Sequence, residues 1–471
     1  MSRLIVVSNR TVAPGQTAAG GVATGLAEVV QRNRGVWVGW SGEVGPQREA
    51  QEHDAGDYTL LRYDLSEQEH AEFYNGFANG CLWPTLHGRD DLLDCQEGHL
   101  QTYDAVNTRV AGLIAKATDA QDRIWVHDYH FLPLAHALRE RGHRGPIGLF
   151  LHVPFPEPEV YARLPGAKRL LEQLLAYDVI GFQTRRDRRN FARSAREQLG
   201  VRRHDTRLDW GEHSVLLEHI PIGIDADNFH RLATGRKANE HASRLQEALR
   251  GRRQIIGVDR LDYSKGLLHR VRAYGALLDA RPELRRQIEM LQVAPVSRGG
   301  VSAYQELREE LEQQVAHVNG VHGDIDWTPL RYMNRTLSRS ALAGLYRGSA
   351  VGFITPLRDG MNLVAKEYVA AQDPEDPGVL VLSRYAGAAE QMDAALIVDP
   401  FRAEDCAEGL SRALLMSRDE RRERHGELYR DLCRYGVHWW ARQFEEALLR
   451  IAQSRDADAS VEAPDADYAM A

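Results

Sequence analysis

Short apolar runs recur along the chain, and most stop at a polar residue, a glycine or a proline. Leu4–Val7, Val36–Trp40, Arg123–Val126, Ile147–Leu151, Val179–Phe182, Val215–Ile220, Gln254–Val258, Ile288–Val293, Ala350–Ile354 and Val379–Leu382 read as strands. Runs without alternation are the pattern of strands covered on both faces. Between them stand segments with apolar positions at helical spacing, near 22–31, 66–79, 131–141, 238–249, 301–318, 338–347, 404–434 and 439–451. Strand and helix in alternation predict parallel sheets joined by crossover helices, hence an α/β protein of two doubly wound, Rossmann-like domains. The stretch PIGID at 221–225 reads as the link between them. The predicted division is 1–222, then 223–436, then a C-terminal helix over 437–453 packing back towards the first domain. A tail over 454–471, rich in Ala, Asp and Ser, is expected to be disordered.

Open α/β sheets bind ligands outside the carboxyl ends of their strands, so the residues there are the first candidates for chemistry. In TPLRDGMNLVAKE, 355–367, Asp359 reads as a helix N-cap, Gly360 as a sharp turn and Leu363 as the helix start. Free amides and the positive end of the helix dipole suit a phosphate there, and Asp359 and Glu367 add carboxylates for sugar hydroxyls. In DRLDYSKGL, 259–267, Arg260 offers a bidentate guanidinium and Lys265 a mobile ammonium, a pairing suited to a diphosphate. APVSRGG, 294–300, sets Arg298 at another strand end, and Arg10 closes the first strand. The loop after Arg10, with Gly15, Gly20 and Gly21, brings backbone close to phosphate. Asp128 in HDYH and His152 in HVPFPEPE occupy equivalent places on neighbouring strands. The segment 74–88 mixes aromatic, small and imidazole side chains too irregularly for core alone. Tyr74 and Trp83 in it are candidate platforms for the apolar face of a sugar.

Composition narrows the choice. A chain of 471 residues needs more than one core, and 43% hydrophobic with 27% charged residues is ordinary for a globular protein. A formal net charge of −8 argues against a general nucleic-acid or anionic-membrane binder. The N-terminus is too quickly polar for a signal peptide, and no apolar run approaches a membrane span, so a cytoplasmic protein is expected. Cys81, Cys95, Cys406 and Cys433 lack close paired spacing and are expected as reduced thiols. The glycines after the first strand do not form the dinucleotide fingerprint, and no Walker pattern is present. The histidines of HDYH splay apart at a strand end, which rejects a metal site. No cofactor and no metal are expected.

Read together, VSNR at 7–10, YNGFANGCLWP, HDYH, HVPFP, DRLDYSKG, APVSRG and TPLRDGMNLVAKEY resemble the trehalose-6-phosphate synthase family of retaining glycosyltransferases. The resemblance runs from about residue 4 to residue 450. It implies the GT-B arrangement, two Rossmann-like domains facing a central cleft, the first binding the acceptor and the second the nucleotide sugar. It further implies metal-independent transfer of glucose from a nucleotide donor, UDP-glucose foremost, to glucose 6-phosphate, giving α,α-trehalose 6-phosphate and UDP. The partners implied are thus a nucleotide-sugar donor and a sugar-phosphate acceptor, with no nucleic acid and no membrane; homo-oligomerisation stays open.

Carried over by position, the resemblance makes Arg260 and Lys265 the diphosphate ligands, with His152 and Asp128 beside the sugars as the remaining catalytic candidates. Gly21, Asp359, Gly360, Met361, Asn362, Leu363 and Glu367 become donor contacts, Asp359 on glucose hydroxyls and Glu367 on the ribose. Arg10, Tyr74, Trp83 and Arg298 surround the acceptor and its phosphate. The stretch TLHGRDDLLDC after Trp83 departs from the family pattern, and the nucleophile motif of relatives with a fused phosphatase is missing, so the product is expected to stay phosphorylated. Same-face attack and double displacement both stay open, with Asp128 and Asp359 each formally able to act as a nucleophile. An aminocyclitol acceptor, a phosphorylase-like enzyme and a catalytically silent sugar-phosphate sensor are the alternatives.

Overall fold

The computed structural model describes residues 2–11, 21–46, 49–296 and 302–461. By packing, the chain divides into two compact units, Met1–Ile220 with Trp440–Ala471, and Pro221–Trp439. Both are α/β units built on a parallel sheet.

The strands of the first unit are β1 Leu4–Arg10, β2 Val36–Val44, β3 Gln51–Asp54, β4 Thr59–Leu65, β5 Arg123–His127, β6 Ile147–Leu151, β7 Val179–Phe182, β8 Arg202–His204, β9 Arg207–Trp210 and β10 His213–His219. They pair in the order β3-β4-β2-β1-β5-β6-β7-β10-β9-β8. From β4 across to β10 every pairing is parallel, while β3 at one edge and β9 and β8 at the other run antiparallel. The apolar runs Leu4–Val7, Ile124–Val126 and Leu149–Leu151 are buried, as strands with helices on both faces must be. From β1 the chain moves to β2 on one side and returns to β5 on the other. The strand order therefore reverses between β1 and β5, the place where such sheets bind ligands.

Part of this core comes from the far end of the sequence. The helix Val437–Val461 sets Trp440 and Phe444 against Trp125 with ring centroids 4.9 and 4.7 Å apart, and Trp440 edge-on to Phe150 at 5.1 Å. Gly148 and Gly181 make room for Phe444: a Cβ on either would lie within 2.9 Å of its ring.

The second unit carries β11 Arg253–Val258, β12 Ile288–Val293, β13 Leu330–Met333, β14 Val351–Ile354, β15 Val379–Ser383 and β16 Leu396–Val398. All its pairings are parallel, in the order β13-β12-β11-β14-β15-β16. Its reversal lies between β11 and β14, so the two segments singled out for phosphate, 259–267 and 355–367, follow the two switch-point strands.

Several expectations need correction. Cys81 and Cys95 are joined in a disulfide, their Cα atoms 5.4 Å apart, where reduced thiols were expected; Cys406 and Cys433 are free. The helix expected near 66–79 continues through Leu86. Ser66 and Glu69 form a capping box, and the chain then runs as a π-helix over His70–Leu82 into Trp83–Leu86. The last helix does not stop at 453 but continues to Val461, and the rest of the expected tail lies outside the described residues. Among the described residues no helix is long and apolar enough to cross a membrane.

Candidate active-site residues

In the second unit, Asp262 opens a short 3-10 turn, its carboxylate accepting from the Ser264 amide at 3.0 Å, and Lys265 ends it. Gly266 follows at φ 67°, with Thr355 O only 2.3 Å from where a Cβ would stand, so this turn lies hard against the start of the 355–367 loop. The Leu357 amide donates to Ser264 O at 2.8 Å and fixes the same register. Lys265 Nζ thereby reaches Asp359 Oδ2 at 2.6 Å, both side chains nearly buried.

Asp359 is not the helix N-cap. Asn362 caps the helix Leu363–Ala371 from a left-handed conformation, φ 74° and ψ 85°, its side chain accepting from the Ala365 amide. The Asn362 amide group also donates to Asp359 Oδ2 at 3.0 Å. Both Asp and Asn are good caps. Tertiary pairing decides between them here, because Asp359 is drawn to Lys265 and its backbone is held by Tyr385 O and the Gly387 amide at 3.2 and 3.0 Å. A non-glycine residue held at positive φ costs about 1–3 kcal/mol and marks a loop fixed by its surroundings. Gly360 and Met361 are buried within this loop.

Behind it lies a cation network that sequence reading missed. Arg270, fully buried, donates to Asp259 Oδ2 at 2.7 Å, Gln292 Oε1 at 3.0 Å and Thr355 Oγ1 at 3.1 Å. It ties the ends of β11, β12 and β14 together and leaves Arg260, the exposed residue after Asp259, at the rim. Burial raises the Asp259 carboxyl against the opposing pull of Arg270 and Lys265. Glu367, on the first turns of the capped helix, is pushed up by burial to about 7, with Arg339 pulling the other way.

In the first unit the candidates gather in two groups. Arg10, exposed at the end of β1, lies 4.4 Å above the Trp40 ring, a cation–π contact. Trp40 meets Tyr74 at 5.3 Å and His70 at 5.6 Å, and Tyr74 stacks on His130 at 6.0 Å. His70 is held below its ordinary value by burial and then by Arg10. Tyr74 and Arg10 therefore share one surface through Trp40. Trp83 lies deeper, 5% exposed, packed on His87 at 4.0 Å and Tyr129 at 5.6 Å, so at most an edge of it faces a ligand. Trp40 and His70 were absent from the predicted set, although Trp40 stands opposite Arg10 on the neighbouring strand.

The second group is Asp128 and His152. Asp128 sits at φ 73° and ψ 174°, another strained non-glycine at a strand end, and its Oδ1 accepts from the His152 amide at 3.3 Å. His152 Nε2 is 3.1 Å from His127 Nδ1, and its Nδ1 is 3.4 Å from Gln183 Nε2. Burial pulls His152 down to about 3 and His127 well below its ordinary value, so both are neutral near pH 7. His127 is thus the direct neighbour that orients His152. Gly21 begins the helix Gly21–Arg32, and Arg298 lies outside the described residues.

Comparison with known proteins gives the family. The family model for glycosyltransferase family 20 matches residues 6–450. A trehalose-6-phosphate synthase of Enterobacter sp. (strain 638) is 43% identical over 455 residues, 96% of this chain and 96% of that protein. The trehalose-6-phosphate synthase structure from E. coli bound with UDP-2-fluoro glucose is 43% identical with TM-score 0.92, covering 95% of this chain and 99% of that one. A UDP-forming α,α-trehalose-phosphate synthase from Burkholderia xenovorans in complex with glucose-6-phosphate is 40% identical with TM-score 0.91, covering 95% and 100%. With a match that spans both units and their switch-point loops, the chain belongs to glycosyltransferase family 20.

Proposed function

We propose that the protein transfers glucose from UDP-glucose to glucose 6-phosphate, forming α,α-trehalose 6-phosphate and UDP. The observation that carries this is the cluster of Lys265, Asp359 and Asn362 at the switch point of the second sheet, where a cation, a carboxylate and a helix start meet within hydrogen-bonding distance. The costly event in such a transfer is departure of the nucleoside diphosphate, which gathers negative charge on phosphate oxygens. Cations and helix-end amides already fixed in place stabilise that charge without reorganising. In this reading Lys265 and Arg260 meet the diphosphate, with the Gly360–Leu363 backbone. Asp359, released by Lys265, accepts from glucose hydroxyls, and Glu367 accepts from the ribose.

The first unit takes the acceptor. Arg10 on Trp40 supplies positive charge for the sugar phosphate, Tyr74 an aromatic face and Trp83 its edge. Asp128 and neutral His152 border the reacting sugars; a neutral imidazole donates or accepts one hydrogen bond without adding charge beside the anomeric carbon. In this reading Asp359 is engaged by Asn362 and by glucose hydroxyls, which favours same-face attack over a double displacement through that carboxylate. In this reading the reaction runs in the cytoplasm.

The test is to incubate the purified protein with UDP-glucose and glucose 6-phosphate and measure UDP release, omitting each substrate in turn and substituting ADP- and GDP-glucose. UDP release that needs both substrates and yields a non-reducing phosphorylated disaccharide supports the reading. Equal release without glucose 6-phosphate, or none at all, refutes it.

A further inference from the structure

Lys366 is 1% exposed, and among the described residues its ammonium has no carboxylate within ion-pair distance. It donates instead to two neutral acceptors, Ile222 O at 2.7 Å and Gln391 Oε1 at 2.8 Å. A buried charge satisfied only by neutral groups costs more than a methionine of similar length would. What the charge holds therefore matters more than what it contributes to the core.

Three pieces of backbone end at this ammonium. The first is its own helix, whose cap is Asn362 and whose next residue is Glu367. The second is the segment ending at Gln391, which braces the donor loop strand-fashion: the Gly387 amide donates to Asp359 O at 3.0 Å and the Ala388 amide to Met361 O at 2.8 Å. The third is Ile222, just past the point where the chain enters the second unit. Its neighbour Gly223 is pressed so closely on Tyr435 that a Cβ would lie 2.0 Å from the Tyr435 carbonyl oxygen, and the Val437 amide donates to Ile224 O at 3.3 Å. The segments entering and leaving the unit are thus laid together, and Lys366 fastens the donor-loop helix to the entering one.

We propose that Lys366 is a positioning residue for the donor nucleotide: through Gln391 and Ile222 it holds the Asp359–Leu363 loop and Glu367 in the register that grips UDP. This deepens the donor-site reading of the second unit and rests on it. Burial also pulls the ammonium down to about 7, as expected for a charge held by neutral acceptors alone.

The experiment uses the full-length protein and two variants. Lys366→Met keeps the chain length and loses the donors, and Gln391→Met removes one acceptor. UDP affinity is measured by calorimetry, the KM of each substrate by steady-state kinetics, and folding by thermal melting. Lys366→Met is expected to weaken UDP binding about tenfold, the low end of what orienting residues cost at metal sites. The KM for UDP-glucose rises alongside, and that for glucose 6-phosphate stays put. Gln391→Met shows the same split, about threefold. The double variant is no weaker than Lys366→Met alone, as two ends of one contact behave. Parental UDP affinity in Lys366→Met overturns the proposal, and so does an equal rise in both KM values, the mark of general loosening. If Lys366→Met does not fold, Gln391→Met decides on the same readouts. Failure of the donor reading itself looks different: the parent protein then binds no UDP.

Discussion

Lys265→Ala tests the charge-stabilisation argument most directly, because the structure separates its effect on chemistry from its effect on the loop. The backbone at Lys265 is held by groups the substitution leaves in place. Its amide donates to Asp262 O at 3.0 Å, and its carbonyl accepts from Arg270 Nη2 at 3.4 Å. Truncation therefore removes the ammonium and leaves the turn. Asp359 loses its partner at 2.6 Å but keeps the Asn362 amide at 3.0 Å. Leaving such a group half-satisfied costs about 1–3 kcal/mol of stability, which the fold of a protein this size tolerates.

The chemical cost is larger. Loss of one fixed donor at the developing charge typically costs about 2.7–4 kcal/mol, so kcat should fall by about 10²–10³. The assay is UDP release at saturating UDP-glucose and glucose 6-phosphate, with chemical denaturation in parallel. Asp359→Asn and the double variant complete a cycle. If Lys265 mattered only as a partner for Asp359, the double variant would recover to the level of Asp359→Asn. On the present reasoning it stays at or below Lys265→Ala, because the leaving group still lacks its cation. A Lys265→Ala variant within about threefold of the parental kcat would refute the reasoning.

Gly266→Ala places a methyl group 2.3 Å from a backbone oxygen at φ 67°. Left-handed strain of about 1–2 kcal/mol adds to overpacking of about 1–3, so denaturant titration should show a loss of about 2–5 kcal/mol; less than about 1 would contradict the geometry. Glu367, raised to about 7 from an ordinary 4.5, binds a proton on folding between those values. Its contribution to stability therefore falls as pH rises through that window and is constant above it. A ribose hydroxyl favours the ionised carboxylate, so the ratio of UDP-glucose affinity in the parent to that in Glu367→Gln should rise with pH through about 7, Lys366 titrating alike in both; a flat ratio would remove Glu367 from the site. The Cys81–Cys95 bridge spans a sequence separation of 14, for which chain-entropy arguments give about 3 kcal/mol. Reductant should lower the melting temperature by roughly 5–10 °C, and no shift would show that the bridge does not constrain the unfolded chain.

The parts of the fold that were legible in sequence are those with a strong local signal. Buried parallel strands such as IGLFL at β6 and VLVLS at β15 announce themselves, and the polar residues that end them gave Arg10, Asp128, His152, Arg260, Lys265 and Asp359. The edge strands β3 and β8, QEHD and RRH, are exposed along their length, and nothing in their composition distinguishes them from loop. The π-helical segment was read as helical only as far as Asn79: Gly76 and Gly80 lower helix propensity, and only packing with His99 and Asp94 shows why small residues are required there. The predicted elements also omit the helix His99–Ala117, although its buried stripe of Tyr103, Val106, Val110 and Ile114 stands at helical spacing. Asp359 was assigned as a cap because local rules cannot see Lys265 ninety-four residues away. The strained backbone of Asp128 and Asn362 carries no sequence mark at all.

The floor of the first sheet is finished by Trp440 and Phe444, residues that leave the ribosome after the whole of Pro221–Trp439. At about 5–20 residues per second, Trp125 and Phe150 wait on the order of tens of seconds for their cover. The later unit, continuous in sequence, has every strand it needs beforehand and finishes first. Translation order and completion order are thus reversed in this polypeptide, and a premature stop codon near the 3′ end of its coding sequence would injure the half made earliest.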